Sequence, residues 1–215
     1  MKKTLYSLML NEDVVREIDV IAHRMGTNRS ALINQILADY ASVVTPERRI
    51  ENIFRAIEEL VTPARELVPF FAPNAATMTL KSSLAYKYRP TVKYEVSLEN
   101  GENGEIGVLT VAFRTQSAEL LSALTYYFRL IKRIEDSYLA GRPTPPRHAL
   151  YDGKFIRTLT LAPDHDYTSE EIAEGISDYV QLFDYLMKRC IGGYMTDDEI
   201  IRQYSVYLAK NKIIV

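Results

Sequence analysis

Residues 3–10 alternate in the manner of a strand, with Thr4, Tyr6, Leu8 and Leu10 on one face and Lys3, Leu5, Ser7 and Met9 on the other. Asn11 then has the chemistry of a helix N-cap, and Glu12 and Asp13 suit the positive end of a helix. Val14, Ile18, Ile21 and Met25 recur at helical spacing, and Gly26 stands where a left-handed C-terminal residue is expected. A short polar turn, Thr27-Asn28-Arg29-Ser30, leads to a second helix that carries Leu32, Ile33, Ile36, Leu37 and Tyr40 inward. The pattern predicts one short strand, a helix, a tight glycine turn and a second helix. A lone strand leaves an unpaired edge, and so few residues bury too little surface to stand alone. A two-fold dimer with antiparallel strand pairing resolves both problems.

The remaining chain has a different pattern. Thr45-Pro46 opens a helix with proline at its first position, and Ile50, Phe54, Ile57 and Val61 form its stripe. Pro63, Pro69 and Pro73 mark residues 62–75 as a loop or linker. Strands are predicted near Met78–Leu84, over Val92–Leu98 and over Ile106–Phe113, the last two joined by an Asn-Gly-rich turn at 99–105. The mostly apolar run at 106–113 predicts a strand covered on both faces. A long helix follows from about Ser117 to Tyr138, then a Pro/Gly-rich loop over 141–153 and a strand over Phe155–Leu161. Thr168/Glu171 and Thr196/Glu199 have capping-box spacing and introduce helices near 169–190 and 197–209. The expected fold class is α+β. A dimeric module at 1–44, with one strand and two helices, is followed by a linking helix and loop at 45–75. An antiparallel sheet packed with helices then occupies 76–215.

The N-terminal pattern resembles the ribbon-helix-helix proteins of the CopG, Arc and MetJ type. The likeness lies in Met1-Lys2-Lys3 through Leu8-Met9-Leu10-Asn11-Glu12, in Met25-Gly26-Thr27-Asn28-Arg29-Ser30-Ala31-Leu32-Ile33, and in Asp39-Tyr40. The resemblance implies that the paired strands enter the major groove of double-stranded DNA. It implies that Lys3, Leu5, Ser7 and Met9 face the bases. Asn28, Arg29 and Ser30, at the start of the second helix, would clamp phosphate through backbone N–H groups. Leu5 and Met9 depart from the polar or basic residues usual at reading positions; they suit thymine methyls rather than bidentate hydrogen bonds. Residues 76–215 carry no family resemblance.

Composition adds limits. The 215 residues are 47% hydrophobic and 25% charged, ordinary values for a globular chain. The net charge of −2 excludes a generic polyanion binder, so contact with nucleic acid has to come from a local surface. The lone Cys190 makes no internal disulfide and reads as a half-buried structural thiol. No apolar run approaches the roughly 20 residues that span a bilayer. Asn11-Glu12-Asp13 cuts short what otherwise begins like a signal peptide, and the expected location is cytoplasmic, with no membrane partner.

Candidate chemistry is sparse. His23 is expected on an exposed helix face, His148 in a loop, and Asp164-His165-Asp166 in a solvated loop. No Walker, His-Glu-x-x-His or Gly-x-Ser-x-Gly pattern occurs, so no catalytic residue, metal or cofactor is assigned and an enzyme is not expected. Tyr86-Lys87-Tyr88-Arg89 interleaves aromatic and basic residues, as single-strand binders do, but also reads as a solvated strand end. The expected function is that of a homodimeric, repressor-like DNA-binding regulator, with higher oligomers and a protein or small-molecule partner of the C-terminal domain left open. Two alternatives stand beside it: a DNA-binding accessory of plasmid transfer or segregation, and an assembly protein that uses the ribbon only to dimerise.

Overall fold

The computed structural model describes residues 4–64, 66–71, 76–87, 89–99, 104–163 and 165–210. The chain divides into two compact units, one ending at Arg49 and one beginning at Ile50.

The first unit holds α1 (Glu12–Arg24) and α2 (Arg29–Tyr40). Asn11 caps α1, its side chain accepting from the Asp13 N–H at 3.0 Å, and Asn28 caps α2 by accepting from the Ala31 N–H at 3.0 Å. Between them Gly26 has φ +64°, while the Thr27 N–H donates to the Ala22 carbonyl and the Gly26 N–H to that of His23. That pair of bonds is a Schellman ending, which needs the left-handed residue that glycine supplies at least cost. Residues 4–10 carry neither helix nor strand. The strand expected there is not formed within one chain, because a ladder needs a second strand and this unit offers none.

The second unit is α+β. Helix α3 (Pro46–Val61) starts before the division and runs into it, followed by a 3₁₀ turn at Thr62–Ala64. Strands β1 (Val68–Phe71), β2 (Thr77–Ser83), β3 (Thr91–Leu98) and β4 (Glu105–Phe113) precede α4 (Ala118–Tyr138). Then come β5 (His148–Tyr151), β6 (Lys154–Thr160), α5 (Ser169–Ile191) and α6 (Asp197–Lys210). All strand pairs are antiparallel, in the order β1-β2-β3-β4-β6-β5.

One face of the sheet is the core face. Leu80, Tyr94, Val111 and Phe155 project from it into a cluster with Leu124, Phe128 and Ile131 of α4 and Val180 and Phe183 of α5. The α3 stripe of Ile53, Phe54, Ile57 and Val61 joins the same cluster, as do Ile200 and Tyr204 of α6. The other face stays outside that cluster and keeps Lys81, Lys93 and Lys154 exposed.

Three expectations need correction. Residues 62–75 are not only a linker, because β1 forms there; Pro69 is tolerated because β1 is an edge strand that pairs only with β2. The loop expected over 141–153 contains β5, four residues paired with β6. Strand β4 is covered on one face only: Leu109, Val111 and Phe113 are buried, whereas Val108, Thr110 and Ala112 are half-exposed. Its outward positions look apolar in sequence but are small residues or valine on an uncovered sheet face. Gly107 follows a bulge in β4, and a Cβ there would lie 2.0 Å from the Ser97 carbonyl oxygen. Among the described residues, no helix is long and apolar enough to cross a membrane.

Candidate nucleic-acid interface

The first unit has almost no core of its own. Only Ala22 of α1 and Leu32 of α2 are buried, while Val14, Ile21, Ile36 and Leu37 lie exposed. The segment before α1 is more open still. Leu5 and Met9, expected to face bases, are 96% and 102% exposed; Leu8 and Leu10, on the opposite register, are 63% and 44% exposed. Tyr6 is 80% exposed, so in a single chain both registers of this segment are open to solvent. Ser7 is exposed in the same way. Lys3 lies outside the described residues.

The three residues expected to hold phosphate do not share one role. The Asn28 side chain is committed to capping α2. Ser30 is exposed in the first turn. Arg29 is the first residue of α2, and its guanidinium forms a two-point bridge to Asp19 of α1: Nε to Oδ1 at 2.7 Å and Nη2 to Oδ2 at 2.5 Å. The hydrogen bond from Arg29 holds the Asp19 carboxyl below the usual carboxylate range, and the Asp19 hydrogen bond raises Arg29 in turn. Both side chains are about half exposed, so solvent screens the pair. Arg29 therefore fixes α1 against α2 in this arrangement. Arg16 is similarly drawn to Asp13, at 3.4 Å.

In the second unit the charged side chains with the most demanding surroundings are buried. Glu135 of α4 and Arg157 of β6 are fully buried, with Arg157 Nε 2.8 Å from Glu135 Oε2. Glu135 also meets His148 Nε2 and accepts from the Tyr204 hydroxyl. Burial alone pushes the Glu135 carboxyl up, but Arg157 and His148 outweigh it and hold it down at about 2. Arg157 is raised despite its own burial, chiefly by the Glu135 charge, and lies 4.5 Å from the Tyr179 ring centre. His148 is therefore not a loop residue: it stands on β5, its side chain 1% exposed, because the register sets it beside Arg157. Asp184 of α5 is the centre of a second buried cluster, accepting from the Tyr94 hydroxyl at 2.8 Å, the Ser82 hydroxyl at 3.1 Å and Lys188 at 2.6 Å. Each carboxylate oxygen of Glu135 and Asp184 already has a donor or ion partner, so both clusters tie helices to the sheet.

Sequence reasoning missed these clusters, although a signal was present. Glu135 follows Ile131 and Ile134 on the apolar side of α4, and Arg157 sits between Phe155 and Leu159 at inward register positions. An acid and a base on two core faces imply a buried pair. Cys190 is half-buried as expected, and burial pushes its thiol up, away from the reactive thiolate. His23 is exposed, and Asp164 lies outside the described residues.

Compared with known proteins, the chain matches no family model, no curated protein and no solved structure.

Proposed function

We propose that this chain is a dimeric, sequence-specific DNA-binding regulator. Residues 4–10 of two copies pair as an antiparallel ribbon that enters the major groove, with Leu5, Ser7 and Met9 toward the bases and Lys3 beside them. The observation that carries the reading is the unpartnered state of the first unit. Two well-capped helices and an apolar leading segment bury only Ala22 and Leu32 within one chain. Such a unit gains its core from a second copy, and strand pairing is the form of contact that the alternating leading segment supports. Ser30 and the backbone at the start of α2 supply the phosphate contact. Arg29, held by Asp19, positions that turn rather than reaching outward.

A second reading draws on a specific observation. Over residues 4–44 the cations are Arg16, Arg24 and Arg29, against Glu12, Asp13, Glu17, Asp19 and Asp39. That balance favours a ribbon used only to dimerise, unless Lys2 and Lys3 are set against the phosphates. A DNA-organising role in plasmid transfer or segregation shares the interface of the first reading.

Two variants separate these readings. Ser7→Glu puts a carboxylate on the register expected to face DNA, and Leu8→Glu puts one on the opposite register of the proposed ribbon. Binding to duplex DNA that includes the protein's own promoter is measured at two salt concentrations, with the mass followed by light scattering. The DNA-binding reading expects a salt-weakened complex with wild type, a dimer without DNA affinity for Ser7→Glu, and a monomer for Leu8→Glu. A wild-type dimer with no salt-dependent affinity for duplex DNA sinks that reading in favour of assembly alone.

A further inference from the structure

The uncovered face of the sheet in the second unit is charged in register. Lys81 of β2 stands opposite Lys93 of β3, Lys93 opposite Ala112 of β4, and Ala112 opposite Lys154 of β6. The row ends at Tyr151 on β5, opposite Lys154. With neighbouring strands roughly 4.8 Å apart, the three lysines line a track about 15 Å long across the strands. Directly opposed like charges destabilise a sheet, so the Lys81–Lys93 pair is a cost that the fold has no need to carry. It is only partly relieved. Lys93 turns to Glu95 at 2.5 Å, and Lys81 Nζ sits 4.9 Å from the Phe70 ring centre.

The same end of the sheet collects more positive charge. The β2–β3 connection carries exposed Lys87 and Arg89, and exposed Arg114 follows β4. Near them stand three carboxylates, Glu95, Glu119 and Asp152, so six cations outnumber the acids in a chain whose net charge is −2. Aromatic rings flank the track: Phe70 at the β1 edge and Tyr151 at the β5 edge are 57% and 63% exposed. Between them the adjoining row runs Thr79, Glu95, Thr110, Ile156 and Ala149, a floor of small and apolar side chains interrupted by Glu95, whose carboxylate is paired with Lys93. Of the interleaved Tyr86-Lys87-Tyr88-Arg89 motif, Tyr86, Lys87 and Arg89 fall at this end. Its Tyr86 is anchored by a hydroxyl bond to Glu119 at 3.1 Å; Tyr88 lies outside the described residues.

We propose that this face binds single-stranded nucleic acid, the phosphates following Lys81, Lys93 and Lys154 and bases resting on Tyr151 and Phe70. A row of cations ending in exposed rings on a shallow floor matches a polyanion that carries flat apolar groups. An acidic peptide matches only the charge, and a duplex keeps its bases stacked away from the rings. The surface belongs to the second unit, and the proposal stands whether or not the ribbon of the first unit reads DNA.

The test uses the full chain and a fluorescent 20-nucleotide oligothymidylate, with a 20-base-pair duplex and polyglutamate as comparisons. Wild type is expected to bind the oligothymidylate with affinity that falls as salt rises. The triple variant Lys81→Gln, Lys93→Gln, Lys154→Gln is expected to bind at least about tenfold more weakly. Its slope of log affinity against log salt should be shallower by about 2, at roughly 0.7 for each single-strand phosphate contact. Tyr151→Ala should weaken binding at least about fivefold through lost stacking. Thermal melting of the triple variant should be unchanged or higher, which separates lost contact from lost fold. Ser7→Glu should leave oligothymidylate binding intact, so failure of the ribbon and failure of this face are read separately. No oligothymidylate binding by wild type, unchanged binding by the triple variant, or polyglutamate competing equally well overturns the proposal. So does a loss in the triple variant confined to the duplex.

Discussion

The Glu135 carboxylate depends on Arg157, His148 and the Tyr204 hydroxyl for its charge in a fully buried position. Removing it leaves Arg157 buried without a counter-charge, which costs about 3–5 kcal/mol. Glu135→Leu should therefore lower the denaturation midpoint sharply. Glu135→Leu combined with Arg157→Met should recover most of the loss, as a double-mutant cycle in urea would show; equal or additive loss in the double variant contradicts a coupled pair. The pH dependence has a definite sign. The folded carboxyl titrates at about 2, below its unfolded value of 4.5. Its contribution is thus fully present above pH 4.5 and is lost as pH falls from there toward 2. Acid unfolding of Glu135→Leu with Arg157→Met should show less of this dependence than wild type. At the other charged pair, Asp19→Asn releases the Arg29 guanidinium for solvent or phosphate. Duplex affinity should then rise roughly threefold to tenfold with a steeper salt dependence. Weakened affinity would mean that the bridge, by fixing the turn, matters more than the free charge.

Elements whose information is local were legible in the sequence. Helix α4 begins where Ser117 caps it, and α5 begins at a capping box in which Thr168 and Glu171 exchange bonds. Strand β3 was written in the alternation of Val92, Tyr94, Val96 and Leu98 with polar neighbours. Elements stabilised by a neighbour were not legible. Strands β1 and β5 have four residues each, lie at the two sheet edges and have punctuating prolines nearby. Only pairing with β2 and β6 makes them strands, and pairing partners are not written locally. The same reason hid the His148 environment, which exists because β5 pairs with β6. In the first unit the local signals held at Asn11 and Gly26, but the bridge from Arg29 to Asp19 was not legible locally, because Asp19 is ten residues away on another helix. The turn itself gives a further prediction. Gly26→Ala forces a side chain into φ +64°, at a cost of about 1–2 kcal/mol. Hydrogen exchange in α1 and α2 should quicken while exchange in the second unit stays the same.

At the scale of the molecule, one unit has a full core and the other does not. The second unit closes around a single cluster that runs from Ile53 in α3 to Leu208 in α6. The first unit presents Leu5, Leu8, Met9, Ile36 and Leu37 to solvent. So many large apolar side chains left exposed in one small unit point to an interaction surface there. The asymmetry is the physical basis for the proposal that dimerisation belongs to the first 45 or so residues. The most direct test is amide hydrogen exchange of residues 4–10 in the full chain over a dilution series. Ribbon pairing predicts protection in this segment at high concentration, lost on dilution while the amides of β3 and β4 stay protected. Exchange at the unprotected rate at every concentration, with β3 and β4 still protected, would contradict the pairing and with it the groove-reading ribbon.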